Sequence, residues 1–416
     1  MDRFSRIVPV LLFCARILYP ADPVSLNRQG VEACNAGNFS KAVPLFDEAL
    51  KSAPRDTIIR NNLCAAYRSL AQQQQQNGRT DGAVATLREA LRQLPGCTAL
   101  HDALTVLIVN QGTALLRNND SEGAQRYSDE ALHRDGENFA VRCLAGDVAY
   151  ARHQLPKARE HWEAAKKIEP SNRNIIDRLQ KLNRELVAER SFSQTEAAHF
   201  DIRFDYRALG NNVFDIRDYL MEAYNRVGQD LDLFPSYTVA VVLYRESDFR
   251  LVNNVPEFVA GLYDGKIRLP VNFSRYPLAT IKGIIFHEYT HAIIHDLAGR
   301  SCPVWLNEGI AMREMNPYLP AAAGVLRQAL ASGATIPFDR LNDRATWNSP
   351  SLVNLAYAQS WMMAEYLFFR WSNSRTRNLL TRFKKGVPFT TILREEMNRT
   401  PEQFEEEWKK YALSRL

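Results

Sequence analysis

The chain contains no block of basic residues and no CxxC pair. Lys and Arg number 52 against 47 Asp and Glu, a net charge of +5, with the basic residues scattered along the chain. That distribution gives no clustered positive surface and excludes nucleic acid as a partner. No apolar run approaches the roughly 20 residues of a spanning helix, and mean hydropathy is −0.32. A polytopic membrane protein is excluded on that basis. The six cysteines, Cys14, Cys34, Cys64, Cys97, Cys143 and Cys302, have no zinc-ribbon spacing. They read as small buried thiols in helix packing rather than as a disulfide framework. Histidine is scarce, at 8 in 416 residues, so two at a meaningful spacing carry weight.

With 46% hydrophobic residues over 416 positions the chain buries a real core, and its length predicts two or more domains. At the start, Arg3 and Arg6 precede an apolar run from Ile7 to Ala15, about the length of a signal-peptide core and too short to span a bilayer. Arg16 interrupts the run, and Tyr19-Pro20 before Ala21 is a poor cleavage site. Residues 1–22 are therefore expected as a signal peptide or N-terminal anchor, and export is favoured over a cytoplasmic location.

From residue 23 a pattern of small, aromatic and proline positions recurs with an underlying period of 34. In the first unit Gly30, Ala42, Phe46, Ala49 and Pro54 fall where two antiparallel helices need small residues at closest approach, an aromatic wedge and a terminating proline. Gly146, Ala158, Trp162, Ala165 and Pro170 match them in the last unit. Tyr67, Ala83, Leu87, Ala90 and Pro95 define a second unit if the Gln72 to Gln76 tract is an insertion. Gly112, Ala124 and Ala131 define a weaker third, with Ser128 in the aromatic position. This resembles the tetratricopeptide repeat family over residues 23–172, with a capping helix from about Asn174 to Glu189. The resemblance implies an all-α solenoid over residues 23–189 whose concave face takes a protein partner. Small residues at helical spacing by themselves show only close packing.

After a linker expected at 190–197, the texture changes. His199–Tyr206, Tyr237–Tyr244 and Lys266–Val271 have strand character, and helix-period Val213–Leu231 lies between the first two. From Leu278 onward the chain reads as helices, so residues 198–416 form an α+β domain with a small mixed sheet.

Within the first of those helices stands His287-Glu288-Tyr289-Thr290-His291. Residues four apart share a helix face, so both imidazoles can meet one cation, with Glu288 beside it. Ile284, Ile285, Phe286, Ala292 and Ile293 make this helix buried nearly all round. Unpaired imidazoles and a carboxylate would be costly there. Zinc suits the donors, one ion per chain, and a catalytic zinc needs a third protein ligand and an open position. Glu308, in Trp305-Leu306-Asn307-Glu308-Gly309, lies 17 residues after His291, far enough for a second helix to return it. A third histidine is excluded, since Ile294 and Leu297 occupy the places a Gly and His would need.

These two motifs resemble the gluzincin metallopeptidases, and with the preceding repeats they are similar to the peptidase MA-like family. The resemblance implies zinc ligands His287, His291 and Glu308, with Glu288 as general base. The carboxylate that would support the first histidine four residues after the ligand Glu is replaced by Met312. Support comes from another group, such as Asp296 or Glu314, or is absent, at about 10 to 100-fold in metal affinity. Ala260–Pro270 resembles the edge strand beside the zinc helix, where an extended peptide adds as another strand. It reads equally as an ordinary hairpin edge blocked by Pro270. Tyr357, in a Tyr-x-x-Ser segment similar to others of this family, reads as an oxyanion donor or as a buried tyrosine bonded to a backbone carbonyl. His295 continues the ligand face but reads as a neighbour of the site.

Zinc-dependent peptide-bond hydrolysis, with repeats that bind or position a protein partner or substrate, is the function expected. The alternative is a scaffold in which the repeats carry the function and the peptidase-like domain is structural. No GxMEN-like run is present, which favours an endopeptidase over an aminopeptidase.

Overall fold

The computed structural model describes residues 22–255, 259–272, 276–315 and 320–416, so the proposed signal segment lies outside the described residues except for Asp22. The chain divides into two compact units, Met1–Asn110 and Gln111–Leu416.

The first unit consists of antiparallel helices α1 (Pro23–Asn35), α2 (Phe39–Ser52), α3 (Thr57–Gln76), α4 (Thr80–Gln93) and the start of α5 (Thr98–Arg117). Asp22, Asn38 and Asp56 cap the first three by accepting backbone N–H groups. Phe46 is the predicted wedge: a Cβ on Gly30 would lie 2.6 Å from its ring. The glutamine tract extends α3 to 20 residues, as the insertion requires. One expectation is corrected here. Cys64 on α3 is disulfide-bonded to Cys97, while Cys34, Cys143 and Cys302 are free thiols. The sequence carried no signal for the pair, because 33 residues separate the two cysteines and only the fold brings them together. Among the described residues α5 is long and apolar enough by composition to cross a membrane; it is instead a repeat helix, with Leu100, Leu104 and Ile108 fully buried.

The second unit continues with α6 (Ser121–Asp135), α7 (Phe139–Ala151), α8 (Leu155–Ile168) and α9 (Arg173–Ala188), then a five-stranded sheet. Its strands are β1 (Ser193–Ala197), β2 (Phe200–Phe204), β3 (Val239–Tyr244), β4 (Leu262–Tyr263) and β5 (Ile267–Pro270), in the order β1-β2-β3-β5-β4. β2, β3 and β5 are parallel, and the edges β1 and β4 are antiparallel. The expected linker 190–197 thus supplies an edge strand: Ser193 to Ala197 pair with Phe204 to Phe200. Pro270 lies on interior β5, opposite Tyr244, and the edge of the hairpin is β4. Helices α10 (Tyr206–Leu209) and α11 (Asn212–Leu231) cross from β2 to β3, and α12 (Glu246–Asn253) follows β3.

Strand alternation sorts the two faces of the sheet. Phe200, Ile202, Phe204, Val241, Leu243, Ile267 and Leu269 join one core with α11 and the next helix, α13 (Leu278–Ala298). On the opposite face Val242 and Tyr244 pack with Phe249, Val252 and the end of α9. There Arg268, fully buried, donates to Glu185 (3.2 Å), Tyr150 (2.9 Å), Tyr244 (2.7 Å) and Asp264 (3.0 Å). Lys266 reaches His153 Nδ1 at 3.1 Å, and His153 Nε2 meets Glu189 at 2.7 Å. Helices α7 and α9 are therefore the layer that covers this face. The later repeat helices are thus packed in the same compact unit as the sheet, Gln111–Leu416.

After α13 come α14 (Val304–Met315), α15 (Pro320–Ser332), α16 (Arg344–Trp347), α17 (Val353–Arg370), α18 (Asn373–Lys384), α19 (Phe389–Ile392) and α20 (Pro401–Arg415). Gly299, at φ +62, ends α13 and lets the chain turn back into α14.

Candidate metal centre

Helix α13 is apolar on nearly every side; within it Glu288 is buried and His287 and His291 are partly buried, so all three need partners. The four-residue spacing places His287 and His291 one turn apart. Their Nε2 atoms approach to 3.1 Å, with the rings nearly perpendicular at 88°.

Glu308 is delivered by α14. Trp305, fully buried against Phe338 and Phe389, anchors the first turn of that helix. Gly309 lets it press on α17, where a Cβ would lie 2.7 Å from the Ser360 carbonyl carbon. Glu308 Oε2 then stands 3.4 Å from His287 Nε2 and 3.7 Å from His291 Nε2. Two imidazole nitrogens and a carboxylate oxygen at these separations describe three corners of a small tetrahedron. Zinc arms of about 2.0–2.1 Å give edges near 3.3 Å, so the donor set fits that ion. Burial alone would raise the Glu308 carboxyl, but His291 and His287 hold it below the ordinary carboxylate range.

Asn307 was missed as a functional residue. Its Oδ1 lies 3.1 Å from His291 Nδ1. An amide oxygen only accepts, so Nδ1 carries the hydrogen and Nε2 is left with its lone pair toward Glu308. The supports considered from sequence are engaged elsewhere: Asp296 with Tyr237 (2.5 Å) and Asn119 (2.7 Å), Glu314 with Arg226 and Arg313. His287 Nδ1 is buried without a hydrogen-bond partner among the described residues. The adjacency of Asn307 to Glu308 was the available signal.

Glu288 is 5% exposed, and burial pushes its carboxyl up to about 7, with His291 opposing and Glu308 adding. The Gly261 backbone, just before β4, lies against it: a Cβ there would stand 2.5 Å from Glu288 Oε1. Tyr357 on α17 is half-buried, its ring edge-on to Trp347 at 5.1 Å. Burial first, then the charges of Glu308 and Glu288, push its hydroxyl pKa up. Among the described residues that hydroxyl meets no backbone carbonyl. His295 lies edge-on to Tyr263 at 6.0 Å, away from the three donors.

Residues 271–413 match the family model of the Peptidase MA superfamily, and residues 27–98 and 109–173 match that of the tetratricopeptide repeat. No curated protein matches the chain.

Proposed function

Given a chain that joins tetratricopeptide repeats to a Peptidase MA superfamily domain, we propose that it is a zinc-dependent endopeptidase. Its repeats bind or position a protein substrate or partner. The observation that carries this reading is the convergence of His287 Nε2, His291 Nε2 and Glu308 Oε2, each within 4.8 Å of the others. Zinc held by these three would supply Lewis acidity, polarising a peptide carbonyl and making a water acidic near neutral pH. Glu288 takes the proton from the attacking water and returns it to the leaving nitrogen. Its position supports that role: it is buried beside the histidine pair on the same helix. Tyr357 donates its O–H to the carbonyl oxygen as negative charge develops there. Gly261 brings the start of edge strand β4 against Glu288, so an extended peptide adding beside β4 would pass the site.

The test is a peptide-library digest by purified protein with and without a chelator, paired with elemental analysis. One zinc per chain, lost in His291→Ala, and internal cleavage lost in Glu288→Gln are the expected results. Zinc retention without any chelator-sensitive product would instead leave the repeats as the functional part, with the metal domain structural.

A further inference from the structure

Asn119 sits in the turn between α5 and α6 with φ +59, a left-handed conformation that asparagine tolerates better than most residues. Its side-chain amide points at four acceptors from other parts of the fold. Asp296 Oδ1 lies at 2.7 Å, and the hydroxyls of Tyr237 and Tyr263 at 3.2 Å each, with His295 Nδ1 at 3.3 Å. An NH2 group has two hydrogens. The charged acceptor, Asp296, takes one, and the tyrosine oxygens and His295 compete for the other. Tyr237 in turn donates to Asp296 Oδ2 at 2.5 Å. Asp296 and His295 form the last turn of α13, just beyond His291, and Tyr263 is half of edge strand β4. Asn119, Tyr237 and Tyr263 also line a cavity of about 850 Å³. Tyr237 and Tyr263 pack their rings on the core, and their hydroxyls and Asn119 add hydrogen bonds between the elements at the cavity wall.

We propose that Asn119 is a positioning residue for the substrate groove: by tying Tyr263 on β4 to Asp296 on α13, it fixes the distance between the edge strand and the metal helix. This rests on the reading above, in which a peptide adds beside β4 next to the metal helix. Asn119 touches neither the substrate nor the metal ligands; it acts through the width of the groove, and so on peptide binding more than on the chemical step.

The test uses the full chain with Asn119→Gly, which keeps the left-handed backbone and deletes the amide, and the exchange pair Asn119→Asp with Asp296→Asn, which rebuilds the contact in reverse. Asn119→Gly is expected to raise amide hydrogen exchange of 262–263 and 294–298 by about 10-fold with no change elsewhere. For a long peptide it should raise KM by about 10-fold with kcat within about 2-fold, and leave zinc affinity unchanged. The exchange pair should restore both. Unaltered exchange at β4, or a loss spread evenly over the unit with a lowered unfolding midpoint, overturns the proposal. A native chain that cleaves nothing sinks the hydrolase reading instead, and the exchange measurement alone then decides the role of Asn119.

Discussion

Asn307 Oδ1, 3.1 Å from His291 Nδ1, holds that ring in the tautomer that presents Nε2 to Glu308. Asn307→Ala should therefore weaken zinc binding by about 10 to 100-fold without unfolding the chain, measured by competition with a chromophoric chelator. Lys266 makes a second prediction at this scale. It is 2% exposed, and burial and then Arg268 lower its ammonium pKa from the ordinary 10.5 to about 8. A depressed basic pKa favours the neutral form in the fold. The stability it contributes is present above pH 10.5 and is lost as pH falls through about 8. Against Lys266→Met, the native chain should lose up to about 3 kcal/mol on going from pH 10.5 to 7.5, read from denaturant midpoints of both proteins. The histidine pair and its carboxylate were legible because helical spacing alone brings 287 and 291 together and a turn returns 308. Asn307 was not, since support was sought four residues after Glu308, where Met312 is only 7% exposed and belongs to the core.

Between elements, the decisive contacts are made by residues without side chains. Gly309 sets how closely α14 approaches α17, and hence where Glu308 ends up. Gly309→Ala should cost about 1–3 kcal/mol by overpacking and also weaken zinc binding, the two read from thermal unfolding and metal titration. The buried Glu185–Arg268 pair joins α9 to β5. Glu185→Ala leaves Arg268 with Asp264 and two hydroxyls, and should destabilise the second unit by about 3 kcal/mol, while Glu185→Gln costs less. The three interior strands and α11 were readable from periodicity, as were the repeat helices. Strand β1 was not, since Ser193 to Ala197 is mostly exposed and has no alternating apolar pattern. Two-residue β4 is too short to have a period at all.

For the molecule as a whole, packing ties the later repeat helices to the sheet across the change of texture near residue 190. A fragment of residues 198–416 would lose β1 and strip Arg268 of Glu185 and Tyr150 and Lys266 of His153. It should be recovered only as aggregate, whereas a chain starting near residue 98, with α5 whole, should stay monomeric and bind zinc, as sizing and metal content would report. Composition could not reveal this, because the residues involved are charged and look solvated in a one-dimensional reading.

The sheet's second face, covered by α7 and α9, makes the later repeat helices structural neighbours of the domain that carries the candidate metal helix. A shift in the register of either helix would uncover Arg268 and Lys266, so this stretch of repeats stands or falls with the sheet.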